Sequence, residues 1–283
     1  QLTDLAIDSY VVEQLRLLDI DFYRNHKHDG VVADLKDLSS ADVIEHFIQR
    51  GRIDGRIYNN RILDFLDPDY YIKKYPELGI KSSSEAQLNW LYQGIFEGKY
   101  PNETTFNMLN AEIHLFQMGK VGSKSIQSSI LRAHPGKLIP HLHFAQEMLL
   151  TYEDCYYSYP EIIRLHKQGI KFIAGVRDPV GRVISGWIQA AFEPESSMTF
   201  SEANERMINS KTHAEIYANE MKTIVNWFDH NFYSGIDVYD TNFNSDEGFS
   251  LITNRKHKVL VYRIDKLEGL WNEISEFTGV PLE

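Results

Sequence analysis

"FQMGKVGSKSIQSSI", from Phe116 to Ile130, joins a short apolar run to a helical pattern through a loop of glycine, lysine and serine. The apolar run "EIHLFQ" (Glu112–Gln117) is a predicted strand, and Ser125–His134 is a predicted helix. Backbone N–H groups at the start of a helix bind anions, because they carry the positive end of the helix dipole. The stretch therefore predicts a strand–loop–helix unit that can cradle a phosphate group.

The loop between this strand and helix carries residue types suited to phosphate binding. Two glycines allow close backbone approach and positive φ, two lysines add charge, and two serines add hydroxyl donors. These residues are Gly119, Gly122, Lys120, Lys124, Ser123 and Ser125. A Walker A loop is excluded, because Ser123 and Met118 stand where that motif requires its glycines. A nucleotide triphosphatase is therefore disfavoured, and an ordinary turn with solvated lysines is the structural alternative.

The chain over residues 105–283 alternates between predicted strands and helices. "IKFIAGV" (Ile170–Val176) and "HKVLVYRI" (His257–Ile264) are near-continuous apolar runs, as expected of strands that are buried on both faces. "PVGRVISGWIQAAF" (Pro179–Phe192) is a predicted helix with Asp178 as its N-cap. This order predicts an α/β domain with a P-loop-type, mostly parallel sheet flanked by helices, and ligands at the carboxyl ends of its strands.

A second anion site is predicted in "VRDPVGRVISGW" (Val176–Trp187). Arg177 follows a buried strand, and its planar guanidinium suits a phosphate. Ser185 lies two helical turns further and can add a hydroxyl. The alternative is that Arg177 pairs with Asp178 or caps a neighbouring element. Two anion sites on separate strand ends of one sheet suggest a ligand with phosphate groups at both ends.

An internal repeat precedes the α/β domain, within residues 1–104. "LDIDFY" (Leu18–Tyr23) matches "LDPDYY" (Leu66–Tyr71), and "HFIQRGRIDGRIYN" (His46–Asn59) matches "NWLYQGIFEGKYPN" (Asn89–Asn102). We therefore expect a small all-helical module of two repeats, whose aromatic residues pack one hairpin on the next. The alternative is that these residues present a surface to a partner or a glycan.

Each repeat also carries its own helix signals. Serines at Ser39–Ser40 and Ser82–Ser84 predict N-caps, and the helix that follows is expected to end at Gly51 or Gly94. The repeats resemble units found beside glycosyltransferases of bacterial surface-polysaccharide clusters. That resemblance implies a pathway and glycosyltransferase partners, and it assigns no chemistry.

Composition limits the classes of function that remain. A formal net charge of −11 argues against a nonspecific nucleic-acid binder. The only cysteine, Cys155, excludes an internal disulfide framework and a Cys-rich zinc site, and it fits a reducing compartment. No stretch approaches the roughly 18–20 apolar residues of a membrane span. Because the sequence begins with Gln1, we expect it to be a fragment of a longer chain.

The paired loops "GKVGSKS" and "VRDPVGRVIS" resemble the two signature loops of sulfotransferases that use 3′-phosphoadenosine 5′-phosphosulfate (PAPS). About 170 residues are similar to bacterial capsular-polysaccharide synthesis proteins, a branch of that superfamily. The resemblance implies that the first loop holds the phosphosulfate and that Arg177 and Ser185 hold the 3′-phosphate. The first-loop residues would be Lys120, Val121, Gly122, Ser123, Lys124 and Ser125. The threonine-tryptophan end of the first loop and the carboxy-terminal Arg-Lys-Gly element of cytosolic sulfotransferases are absent.

Sulfuryl transfer to an alcohol needs a base, and a histidine is suited to that task near neutral pH. "KLIPHLHF" (Lys137–Phe144) is a predicted extended segment, so His141 and His143 project to one face. It resembles the His-x-His of uronyl 2-O-sulfotransferases, which implies that His143 is the base and His141 its helper. Glu147, one turn further, is a fallback base or an orienting partner. Zinc binding by this pair and a purely structural role are the alternatives.

Several other residues have weaker expectations attached to them. His114 lies inside the first strand and is expected in the core. "YRID" resembles an Arg-Tyr-Glu-Asp-Leu element of carbohydrate sulfotransferases, so Arg263 either reaches the site or forms a buried ion pair with Asp265 or a neighbour. Residues 215–232 are a predicted helix, mostly core, in which Trp227, together with the nearby Tyr233, is a candidate for an acceptor cleft.

The resemblance implies a PAPS-dependent carbohydrate O-sulfotransferase, with Lys120 neutralising the leaving group and PAPS as donor without a metal. The acceptor would be a hydroxyl of a bacterial surface or capsular polysaccharide, or of its precursor. We expect no nucleic-acid partner and a cytoplasmic location, which includes peripheral attachment at the inner membrane face. The alternatives are a kinase-like P-loop phosphotransferase and a non-catalytic scaffold.

Overall fold

The protein divides into two compact units. The computed structural model describes residues 9–26, 35–144, 147–191, 199, 201–202, 205, 222, 225–231 and 243–282. The first unit comprises Gln1–Asn107 with Asp154–Tyr157, and the second comprises Met108–Glu153 with Ser158–Glu283. In the parts of the chain that are described, no helix combines the length and the apolar character needed to cross a bilayer.

The second unit is an α/β fold built on a five-stranded sheet. The strand order is β2-β1-β3-β5-β4, in which β1, β2, β3 and β5 run parallel and β4 runs antiparallel to β5. The strands are β1 (Ile113–Phe116), β2 (His141–Leu142), β3 (Lys171–Val176), β4 (Phe249–Asn254) and β5 (His257–Arg263). The predicted mostly parallel sheet is therefore confirmed.

The antiparallel strand β4 was not predicted from the sequence. It joins β5 through a tight turn, since Asn254 pairs with His257. Arg255 takes a φ of 54° in this turn. Hairpin turns are normally recognised by Asn-Gly or Asp-Gly, which supply positive φ without strain. Arg255 and Lys256 give no such signal.

Helices flank the sheet, and their bounds lie close to the predicted ones. The helix after β1 begins at Ser123, two residues before the predicted start, and the helix after β3 begins at Pro179 as predicted. Of the predicted helix over residues 215–232, only the last turn is fully described. The helices are α8 (Ser123–Ala133), α9 (Met148–Thr151), α10 (Tyr159–Leu165), α11 (Pro179–Ala191), α12 (Trp227–Asn231) and α13 (Trp271–Thr278), with a 3-10 segment at Ile264–Gly269.

Both faces of the sheet are covered, which explains why its central strands read as continuous apolar runs. Alternate residues of β1 face opposite sides: Leu115 packs with Ile126 and Ile130 of α8, whereas the Phe116 ring centroid lies 4.7 Å from that of Tyr159 in α10. The core on the first side consists of Ile113, Leu115, Ile126, Ile130, Ile139, Ile173, Leu260, Tyr262, Leu267, Leu270, Ile274 and Val280. The sheet thus holds its carboxyl edge rigidly, where β1, β3 and β5 end.

The first unit contains helices whose starts repeat along the chain. Asp19 caps α2 (Ile20–Asn25), accepting from Phe22 N–H at 2.9 Å. In the same way, Asp67 caps α5 (Pro68–Lys74), accepting from Tyr70 N–H at 3.0 Å. Ser39 and Ser82 cap α3 and α6, so the predicted serine N-caps are confirmed. The helices of this part of the chain are α1 (Ser9–Leu17), α2 (Ile20–Asn25), α3 (Ser40–His46), α4 (Asn60–Leu63), α5 (Pro68–Lys74), α6 (Ser83–Asn89) and α7 (Glu103–Asn110), with a 3-10 turn at Pro76–Leu78.

In each repeat, α3 or α6 continues as a π-helical turn that ends at the predicted glycine, Phe47–Gly51 or Trp90–Gly94. A Cβ on Gly51 would overlap the Tyr23 hydroxyl, and one on Gly94 would overlap the Tyr71 hydroxyl. Both tyrosines are fully buried. Each repeat therefore contains the same packing contact, in which the buried tyrosine lies against the glycine that ends the π-helical turn.

Candidate functional site

The predicted phosphate loop lies at the carboxyl edge of the sheet. Gln117, directly after β1, holds the start of this loop through its side-chain hydrogen bonds. The Gln117 side-chain oxygen accepts from Gly175 N–H of β3 at 2.6 Å and lies 3.2 Å from the Tyr262 hydroxyl of β5. Tyr262 also donates to the Val121 carbonyl within the loop. One buried amide thus ties the end of β1 to the adjacent strand β3 and to β5 beyond it. No sequence motif singled out Gln117.

The loop backbone takes an unusual conformation before α8. Gly122, the N-cap residue, has a φ of 83°, and Lys120 has a φ of 70°. Positive φ is costly for a lysine, and such residues concentrate at functional sites. No side chain among the described residues caps α8. The first N–H groups of this eleven-residue helix are therefore without the acceptor that a Ser or Asp cap would supply.

The backbone at Gly119 passes beside two functional side chains. A Cβ at this position would lie 3.8 Å from Arg182 Nη2 and 3.9 Å from the ring of His143. Arg182 of α11 was not chosen from the sequence. It precedes Ser185 by three residues, so both occupy one helix face, and this spacing is the signal that would have found it. The loop, His143 and Arg182 therefore form one cluster.

His143 is held in a defined orientation. Its Nδ1 lies 3.0 Å from the Gln117 carbonyl oxygen. A carbonyl only accepts, so in the neutral ring Nδ1 carries the proton and Nε2 keeps its lone pair. The His143 main chain is fixed as well, because its N–H donates to Glu147 and its carbonyl accepts from Trp227 Nε1 at 2.7 Å. His143 can therefore accept a proton at Nε2.

His141 stands beside His143, with the ring centroids 4.8 Å apart and the planes at 84°. Gln127 donates to the Ile139 carbonyl at 3.3 Å, which turns its side-chain oxygen towards His141 Nδ1, also at 3.3 Å. Burial, followed by the charges of His143 and Lys124, lowers the pKa of His141 to about 4. His141 is therefore neutral at neutral pH and cannot compete for the proton that His143 accepts.

Arg177, from the predicted second anion site, contacts the first loop. Arg177 Nη1 donates to the Lys120 carbonyl at 3.3 Å. Asp178 does not serve as its partner and instead caps α11, accepting from Gly181 N–H at 2.7 Å. The N-cap prediction is therefore confirmed, and a carboxylate occupies the start of α11. Any anion bound here would rely on side chains such as the half-buried Ser185.

The residues predicted for the first loop divide into two groups. Val121 and Ser123 are buried, and Lys120 and Gly122 are half-buried at the edge of the sheet. The Val121 side chain packs towards Gly175, where an added Cβ would lie 2.7 Å from it. Lys124 and Ser125 are exposed and line an open depression along α8. The structure thus does not bring all the predicted loop residues together.

Other expectations are corrected. Arg263 forms an ion pair with Asp265, with Nη2 2.5 Å from Oδ2, but the pair is exposed, not buried, and it lowers the pKa of Asp265. Trp227 is 1% exposed, as expected of a mostly core helix, so among the described residues its indole offers no surface to an acceptor cleft.

Three further observations complete the comparison with the sequence. His114 is buried in the core as expected, and Tyr233 lies outside the described residues. Among the residues that the structure describes, no group of His, Cys, Asp and Glu side chains is arranged to hold a metal ion.

Comparison with known proteins gives no relative from which these roles could be carried over. No protein-family model, curated protein or solved structure matches the chain.

Proposed function

We propose that the protein is a PAPS-dependent sulfotransferase acting on a hydroxyl of a bacterial surface or capsular polysaccharide, or of its precursor. The observation that carries the proposal is one cluster at the carboxyl edge of the sheet. There, the helix start without a side-chain cap, the Gly119 backbone, the His143 ring and the Arg182 guanidinium converge. A donor site for an anion and a base thus lie side by side.

The cluster supports binding of a nucleotide that carries two separate anionic groups. The N–H groups of the first turn of α8, which no described side chain caps, and the Lys120 side chain would take the phosphosulfate, because both offer positive charge at the end of β1. Arg177, Arg182 and Ser185 would take the 3′-phosphate at the end of β3. In this proposal the second unit is a P-loop-type domain, and the first unit is an all-helical module of two repeats. Both units serve polysaccharide synthesis in the cytoplasm.

The donor supplies an activated sulfuryl group, and the protein's residues do the rest. His143 Nε2 accepts the proton of the acceptor hydroxyl as the oxygen–sulfur bond forms. Lys120 stabilises the negative charge on the leaving phosphate oxygen as its bond to sulfur breaks. The neutral His141 edge beside His143 keeps the base from meeting a second positive charge. Positioning and electrostatics account for the reaction, as in phosphoryl transfer.

Calorimetry with 3′-phosphoadenosine 5′-phosphate in a chelator tests the proposal. We expect binding without metal, since the described residues of the site offer cations and no group of side chains arranged to hold a metal ion. Arg177→Ala should weaken it by about 1.5–3 kcal/mol, the range for a hydrogen bond to a charged group. Arg164→Ala is the matched control, because it removes an exposed arginine of α10, which lies outside both predicted loops. Binding of ATP that requires magnesium would instead indicate a phosphotransferase.

A further inference from the structure

An open depression runs along the outer face of α8, starting at the phosphate loop. It has a volume of about 600 Å³ and is lined by Lys124, Ser125, Ser128, Ser129, Arg132 and Trp271. The spacing of four residues from Lys124 to Ser128 to Arg132 places the three on one line of the helix. Lys124 and Arg132 are therefore about 12 Å apart along the helix axis, at a rise of 1.5 Å per residue.

The lining has one chemical character along its length. A cation stands near each end, three hydroxyls form the floor between them, and none of the six side chains is acidic. The small serines leave the helix backbone open to close approach. Arg132 is oriented by its own contact, since Nη2 donates to Ser129 Oγ at 3.1 Å. This basic strip lies on a chain whose formal net charge is −11.

Trp271, at the start of α13, forms the wall of the depression. It is half-buried and packs against the core beneath α8 and α13, so its ring cannot swing freely. A fixed indole offers a flat apolar face beside the hydroxyl floor. Sugar rings present the same two surfaces, a flat face of C–H groups and an edge of hydroxyls.

We propose that this depression binds an acidic polysaccharide, a glycan chain that carries carboxylate or sulfate groups. Its open shape fits an extended polymer better than an enclosed small molecule. The separation of the two cations requires negative groups that recur along the chain, and the serines and indole match the sugar rings between them. The acceptor role of such a glycan rests on the proposed function, whereas its binding does not.

The depression begins beside the candidate site in sequence. Lys124 and Ser125, which line one end of it, directly follow the Lys120–Ser123 part of the loop. The proposal therefore includes a glycan that extends past this end towards His143, so that a polymer is held over several residues while one of its hydroxyls meets the base.

Affinity measurements with polygalacturonate, against neutral dextran of the same length, test the proposal. Polygalacturonate should bind and weaken with added salt, whereas dextran should bind at least about tenfold less tightly, since it lacks the charges. Arg132→Ala should lower polygalacturonate affinity about two- to fivefold, the scale of one exposed ion pair, and Arg132→Glu should lower it further. Arg164→Ala, again the matched control, should leave it unchanged.

The outcomes separate this proposal from the sulfotransferase assignment. If Arg132→Glu also weakens binding of 3′-phosphoadenosine 5′-phosphate, the depression belongs to the nucleotide site and the proposal is overturned. Equal binding of dextran, or tighter binding of single-stranded RNA than of polygalacturonate, overturns it too. If the wild-type protein ignores the nucleotide but binds polygalacturonate through Arg132, the depression is upheld and the sulfotransferase proposal fails.

Discussion

Helices α2, α3, α5 and α6 of the first unit have an aspartate or a serine as their N-cap residue, whereas α8 of the second unit has a glycine, Gly122. In the first four, a side-chain oxygen accepts from a backbone N–H of the first turn. At Gly122 no described side chain does so, and the preceding Lys120 is held at positive φ. In the four capped starts a side chain satisfies the backbone of its own helix, as Asp178 also does at α11. At α8 that role is left to the ligand that we propose.

The two kinds of helix start should respond to mutation in opposite ways. A capped start stabilises the fold, typically by about 1 kcal/mol. An uncapped start with a strained lysine costs stability unless a ligand supplies the missing acceptor. Changes in the repeats should therefore lower the free energy of unfolding, and changes around the loop should lower activity.

The largest effect is expected at His143. His143→Ala should lower turnover by about 10²–10⁴, the usual contribution of a general base, while nucleotide affinity stays nearly constant. Loss of its hydrogen bond to Gln117 should cost only about 1 kcal/mol of stability. The measurement is sulfate transfer from labelled donor to a panel of polysaccharides. Wild-type turnover in both His143→Ala and His141→Ala would remove the pair from the reaction and make Glu147 the next candidate.

Gly94→Ala should lower the stability of the repeats by more than the loss of a helix cap does. The new methyl group would overlap the Tyr71 hydroxyl and lie 3.0 Å from the Trp90 ring. Such overpacking costs about 1–3 kcal/mol, measurable as a lower free energy of unfolding in urea. Tyr71→Phe removes the obstructing hydroxyl, so the double variant should lose less than the sum of the two single losses. Strict additivity would show that the paired contact is not what requires glycine.

Acid should act on the second unit, where all the buried histidines of the described residues lie. Burial is the main cause that lowers the pKa of His114 to about 3, and burial together with the charges of Lys256 and His166 lowers the pKa of His257 to about 4. Below the unfolded pKa of about 6.5 the unfolded chain binds more protons, so stability falls as pH falls. Between pH 7 and pH 5 the loss should be about 1–2 kcal/mol for each of these two histidines.

Urea unfolding at pH 7, 6 and 5 checks this dependence. His257→Gln removes one titrating group, so its stability should change less between pH 7 and pH 5 than that of the wild type. Comparing the differences within each variant cancels any constant loss from the substitution itself. Identical pH slopes in the two proteins would contradict a buried, neutral His257.

The smallest effect is expected from a single cap. Ser82→Ala should lower the free energy of unfolding by about 1 kcal/mol, because the Glu85 N–H loses an acceptor now 3.2 Å away. Ser128→Ala, at an exposed interior position of α8, is the control and should be neutral within about 0.5 kcal/mol. Equal losses at the two positions would show that the Ser82 hydroxyl does not stabilise α6 as a cap.

The sheet and its order of elements were largely predictable because they depend on local signals. Apolar runs predicted β1, β3 and β5, and Asp178 and Pro179 predicted the start of α11. Strand β4 escaped prediction because its turn lacks glycine and asparagine, so tertiary pairing, and no local turn signal, decides it.

The sequence predicted the candidate site only for residues whose position is set by the end of a predicted strand. The positions of Arg177 and His143 follow from the ends of β3 and β2. The roles of Gln117 and Arg182 depend on contacts across the sheet and from α11 to the loop, which sequence spacing does not encode. Trp227 had two expectations, core and acceptor cleft, because an aromatic residue in a helix reads the same in either place, and its burial agrees with the first.

The bond from Arg177 to the Lys120 carbonyl has a thermodynamic consequence. A guanidinium carries five donors, and this contact uses one of them to hold the loop. An anion bound to the other donors would share the Arg177 guanidinium with the Lys120 carbonyl. Binding of the anion and ordering of the loop would therefore be thermodynamically coupled. Ligand that tightens the loop must bind more weakly when the loop is loosened, by the same factor.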